Sequence, residues 1–109
     1  MILVLFLPLP SFAAWLNTSG KVTSLVTYAT TNTILVGLSV DGADVAQCSN
    51  KTTFAISKDI DAEARARMYA LLLAAKTADT TVVVSYQDAG GCEPWSSNPS
   101  VYRRIVRLQ

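Results

Sequence analysis

Ala64-Arg65-Ala66-Arg67-Met68-Tyr69-Ala70-Leu71-Leu72-Leu73-Ala74-Ala75 is a helix-patterned stretch set among strand-patterned segments. Ala64, Met68, Leu71, Leu72 and Ala75 recur at the spacing that places side chains on one helical face, so they form the expected core-facing stripe. Asp59 or Asp61 offers an oxygen to the first-turn amides. Glu63 and Lys76 put charges of favourable sign near the two helix ends. Three strand-like segments precede this stretch and two follow it. Strand-strand-strand-helix-strand-strand is the order of a small five-stranded OB-fold barrel, and the expected fold class is therefore mainly β with one helix plugging the barrel.

The flanking segments alternate. From Gly20 to Ala29, Val22, Val26 and Tyr28 share one parity, with Lys21, Thr23 and Thr27 on the other. From Thr33 to Val40, Ile34, Val36, Leu38 and Val40 share a face. Both patterns predict antiparallel strands with one buried side, followed by a turn at Asp41-Gly42. Thr53 to Ser57 predicts a short third strand with Phe54 and Ile56 facing in. Thr80 to Gln87 predicts the fourth, with Val82, Val84 and Tyr86 on one side. A loop from Gly90 to Ser100 leads to a last strand, Tyr102 to Leu108, studded by Arg103, Arg104 and Arg107 with no adjoining acid.

The chain has 109 residues, half of them hydrophobic and 16% charged, which is the composition of one globular domain. A net charge of +1 leaves no electrostatic footprint for nucleic acid. Met1 to Leu7 is apolar, and Ser11-Phe12-Ala13 is a small-x-small cleavage pattern. Residues 1–13 are expected to be a secretory signal peptide, cut after Ala13 or less favourably after Ala14, with a single OB-fold-like domain over 14–109. No Lys or Arg precedes the apolar run, and a buried N-terminal strand is the alternative. The stretch is too short for membrane insertion, and Pro8 and Pro10 interrupt it. Cys48 and Cys92 are the two cysteines. In an exported chain an even count predicts one disulfide; two free buried thiols are the alternative.

No catalytic site is expected. Histidine is absent, which removes the commonest general base and the commonest zinc ligand. No phosphate loop or nucleophile elbow is present, and two thiols alone cannot complete a metal site. Neither a cofactor nor a metal is expected. The contact groups that remain are aromatic: Trp15, Tyr28, Tyr69, Tyr86, Trp95 and Tyr102. Tyr28 and Tyr86 are equally well read as barrel residues with hydroxyls at the rim, and Trp95 as packing over the disulfide. The three arginines suit an anionic ligand or, more readily, a charged edge that resists aggregation.

Four stretches carry a resemblance. They are Ser19-Gly20-Lys21-Val22, Gln47-Cys48-Ser49-Asn50-Lys51, Met68-Tyr69-Ala70-Leu71-Leu72 and Val82-Val83-Val84-Ser85-Tyr86. From about Ser19 to Leu108 the pattern resembles the small OB-fold B subunits of pentameric toxins of the subtilase-cytotoxin, typhoid and pertussis kind. The resemblance implies a non-catalytic, secreted or periplasmic subunit that forms a homo-oligomeric ring, a pentamer, and binds a cell-surface glycan, often sialylated. By motif position it places sugar contacts on Ser19 and Tyr86. Three features depart from it: Cys92 follows the fourth strand, the loop before the last strand is shorter, and the helix is rich in alanine. The alternative function is a periplasmic protein-interaction module, such as an inhibitor of a cell-wall hydrolase or an envelope-stress protein.

Overall fold

A computed structural model describes residues 14–109; the expected signal peptide lies outside them. Over the described residues the chain is mainly β with one helix and one disulfide. The strands are β1 (Trp15–Tyr28), β2 (Thr31–Leu38), β3 (Thr53–Ile56), β4 (Thr81–Gln87), β5 (Cys92–Trp95), β6 (Asn98–Arg104) and β7 (Arg107–Leu108). The helix α1 runs from Ala62 to Ala78, between β3 and β4. Seven strands, rather than five, form a sheet in the order β5-β6-β3-β2-β1-β4-β7, and the sheet is not closed. The two extra strands have simple origins. Part of the expected Gly90–Ser100 loop is β5, which folds back on β6 through a two-residue turn, Trp95 pairing with Asn98. The expected last strand is interrupted at Ile105, whose amide bonds to Ala55, while the amide of Val106 bonds to Ser85.

β1 is the long element, and its two halves serve different neighbours. Trp15 to Lys21 pairs with β4, and Val22 to Tyr28 pairs with β2. It begins five residues before the expected strand because Leu16, Thr18 and Gly20 continue the inward alternation. A bulge then changes the parity. Val22 faces Leu38, but Ser24 faces Gly37, so one residue of β1 is unmatched. An extra residue moves every later side chain to the opposite face. Leu25 therefore packs on the core, whereas Val26 and Tyr28, expected to share Val22's face, are 37% and 44% exposed.

β3 packs as expected, with Phe54 and Ile56 fully buried. They join Val36, Leu38, Val82, Val84 and Leu72 in one apolar cluster. The helix meets this cluster mainly through Leu72 and Ala75. Leu71 does not follow them: one residue is a 100° step around a helix, and Leu71 sits on the shoulder, 37% exposed. Asp61 is the N-cap residue but makes no side-chain cap bond. Asp79 ends the helix in the left-handed conformation, φ 56°, and its carboxylate meets the Lys21 ammonium at 3.0 Å. No helix among the described residues is long and apolar enough to cross a membrane.

Candidate functional site

Ser19 and Tyr86 are not brought together. Ser19 is exposed and pairs with Val83, while Tyr86 pairs with Leu16. Alternate residues of a strand face opposite ways, so Ser19 looks out of the sheet and Tyr86 looks in. Tyr86 is 1% exposed; its hydroxyl is not at a rim. That hydroxyl accepts from the Ala43 amide at 2.9 Å, donates to the Ala43 carbonyl at 3.2 Å, and lies 3.1 Å from Thr18 Oγ1. A phenol has one donor and two acceptor sites, and these three contacts use them all.

The three arginines go separate ways rather than forming an edge. Arg103 is buried, with its guanidinium 4.0 Å from the centre of the Phe54 ring. Its Nη1 donates to the carbonyls of Asp41 and Ala43 at 2.7 and 3.0 Å, and its Nε and Nη2 are buried without a protein partner. Burial pulls its pKa down, opposed by Tyr86, Asp44 and Asp41. Arg107 lies over Trp15, 5.5 Å from the ring centre. Arg103 and Tyr86 together clamp the Asp41-Gly42 turn. Gly42 has φ +73°, and a Cβ there would stand 2.7 Å from Thr18 Oγ1 and 2.9 Å from the Tyr86 hydroxyl oxygen. Gly42→Ala is expected to cost about 2 kcal/mol or more, combining the backbone penalty with a broken polar contact. A thermal melt would then show Tm lower by about 8 °C or more.

Arg104 is the member that meets acids. Its Nε donates to Glu93 Oε1 at 2.7 Å and its Nη2 to Asp59 Oδ2 at 3.3 Å. Glu93 is fully buried. Besides Arg104, its carboxylate accepts from Thr33 Oγ1 at 2.7 Å, Ser57 Oγ at 2.9 Å and the Lys58 amide at 2.8 Å. Burial alone raises this carboxyl's pKa; the donors from Lys58, Thr33, Arg104 and Ser57 outweigh it and hold the value below the usual carboxylate range. Four well-placed donors turn a buried charge into a knot that joins β2, β5, β6 and the end of β3.

That knot underlies an open groove between two hairpin tips. One tip is the β1–β2 turn, where Tyr28 pairs with Thr31. The other is the β5–β6 turn, where Ser96 takes φ 54°, a left-handed value rare outside glycine and asparagine. A hollow of about 310 Å³ is lined by Thr30, Thr31, Lys58, Pro94, Trp95 and Ser96. A second, of about 360 Å³, shares Thr30, Thr31 and Lys58 and extends to Asn32 and Asp59. Trp95 forms the aromatic wall. Its ring meets Tyr28 edge-on at 5.1 Å and Tyr102 at 5.6 Å between centres. Edge-to-face packing against two rings holds the indole in place. Each wall depends on Glu93: Pro94 and Trp95 follow it directly, it holds the Lys58 amide, and it bonds to Thr33, whose amide is bound by Thr31 Oγ1 at 3.2 Å.

Of the lining residues only Trp95 stands out in the sequence as a contact group, together with Tyr28 and Tyr102 that pack against it. Thr30, Thr31, Lys58 and Ser96 do not, because they come from three separate connections. One local signal existed: Ser96-Ser97 flanked by Trp95 and Asn98 is turn-forming composition at two-residue hairpin spacing. No protein-family model matches the chain, and neither a curated protein nor a solved structure does.

Proposed function

We propose that the chain is an exported, non-catalytic binding protein that takes a glycan in the groove between the two hairpin tips, and that it works as a ring-forming subunit. The observation that carries this is Trp95, fixed edge-on by Tyr28 and Tyr102 beside the hydroxyls of Thr30, Thr31 and Ser96. An apolar ring face next to neutral donors and acceptors suits a sugar, which has one apolar face and a rim of hydroxyls. Export is supported by the Cys48–Cys92 disulfide, since such bonds persist in oxidising compartments. An OB-type barrel is supported by two pairings. β1 is shared between β2 and β4, and the segment from Asn98 to Leu108 pairs with β3 through Arg103 and with β4 through Arg107. A non-catalytic role is supported by the commitment of Glu93, a buried carboxylate of the site, to four donors.

The test is a glycan array probed with the mature protein and with Trp95→Ala. The wild type is expected to bind, and the variant to lose about 30-fold, the cost of truncating an aromatic anchor. An empty array, or binding indifferent to Trp95→Ala, overturns the reading. The mass of the mature protein in solution decides the ring: five subunits support it and a monomer removes it.

A second reading, a periplasmic protein-interaction module, is favoured by a different observation. A largely apolar groove lined by Ile60, Ala64, Met68, Ile105 and Val106 runs along α1, and Leu71 and Leu73 of the same helix are exposed. A stable monomer with no glycan signal would turn the assignment to that face.

A further inference from the structure

The shape of the groove goes beyond the choice of sugar. A closed pocket admits only the end of a glycan, whereas an open groove leaves room for the chain to continue past the site. The two hollows between the hairpin tips are not enclosed. They are joined side to side, with Thr30, Thr31 and Lys58 as their common wall. Their chemistry differs. The first has the Trp95 ring and Pro94; the second has no aromatic lining and reaches Asn32, an exposed residue at the start of β2. Among the described residues the Asn32 side-chain amide and the Lys58 ammonium make no hydrogen bond or ion pair. The Asp59 carboxylate and the Lys58 main chain there are already engaged: Asp59 meets Arg104 at 3.3 Å, and the Lys58 main chain is held by Glu93 at 2.8 Å and by Arg65 at 3.4 Å.

Resting on the glycan reading above, we propose that the groove binds an internal run of at least two consecutive sugar units of a linear polysaccharide, one stacked on Trp95 and the next hydrogen-bonded by Asn32. The order follows from the lining. Stacking needs the indole face, and that face exists only in the first hollow. An amide, which both donates and accepts, suits a ring whose hydroxyls alternate in role. The rigid backbone under Lys58 keeps the two positions at a fixed separation, so a linked pair of sugars pays the cost of orientation once.

The experiment is a calorimetric titration of the mature protein with two ladders of one to four units, one of β-linked N-acetylglucosamine and one of β-linked galactose. In at least one ladder the two-unit sugar is expected to bind about fivefold to tenfold tighter than the single unit, the worth of one or two added hydrogen bonds. Asn32→Ala is expected to erase that gain and leave the single-unit affinity unchanged, whereas Trp95→Ala weakens every member. Asn32 is exposed, so its replacement leaves the fold intact, and an unchanged thermal melt verifies this. Equal affinity for one and two units, or a gain that survives Asn32→Ala, overturns the proposal while the glycan reading stands. The same holds if an array signal comes only from chain ends and neither ladder binds. An array with no signal at all overturns both.

Discussion

Glu93→Ala is expected to lower stability by about 3–5 kcal/mol, the cost of removing one partner of a buried, hydrogen-bonded ion pair. For a domain of this size that lowers Tm by about 12 °C or more in a calorimetric melt. The substitution strands the hydroxyls of Thr33 and Ser57 and the amide of Lys58, all of which donate to the carboxylate. Arg104 keeps Asp59 as a partner at 3.3 Å, so its loss is partial. A melt within a few degrees of wild type would show that the knot is dispensable. The same carboxylate sets an acid dependence. Its folded-state pKa lies below the usual carboxylate range, so its stabilisation is fully present above the unfolded-state value and is lost as pH falls through the folded one. Glu93→Gln should flatten that part of the acid limb, and it should also weaken sugar binding, since three walls of the groove hang on Glu93.

The second large effect is expected from the disulfide. Cys48 and Cys92 are 44 residues apart in sequence. In the chain-entropy model, opening a loop of that length costs about 4 kcal/mol. The Cys48→Ser/Cys92→Ser double variant should lose about that much in urea denaturation, with a steeper slope, because the unfolded chain without the cross-link exposes more surface. Cys48 is fully buried, so a serine there also adds an unfavourable hydroxyl. The bond ties the Asp41–Asn50 connection to the start of β5, next to Glu93. Its loss should therefore act on the groove as well as on the global melt. A double variant as stable as wild type would place the stabilisation elsewhere.

What could be read along the chain was local. Helical spacing located α1 to within three residues at each end, and the alternation of Phe54 and Ile56 located β3. An even cysteine count, taken with the export pattern at the N-terminus, points to the one disulfide that forms, Cys48–Cys92. The failures each involve a partner distant in sequence or a break in periodicity. A bulge has no signature in alternation, so the alternation puts Val26 and Tyr28 on the wrong face. Arg103, Arg104 and Arg107 look alike as a row; Phe54, Glu93 and Trp15 distinguish them, and none of the three is adjacent to the row. Tyr86 carries a polar tip, and only the return of Ala43 and Thr18 to that tip explains how it can be buried. The groove was invisible for the same reason: the β1–β2 turn, the residue after β3 and the β5–β6 turn meet only after the sheet has formed.

The division of β1 between two neighbours has a consequence for the order of assembly. Its second half meets β2 across a two-residue turn, a closure that hairpins complete in about 1–10 μs. Its first half waits for β4, which ends at Gln87. A chain emerging from its N-terminus therefore carries Trp15 to Lys21 as an unmatched ribbon until most of its length is out. Such an edge invites pairing with other chains. The interval before β4 arrives is when this half of β1 is open to such pairing.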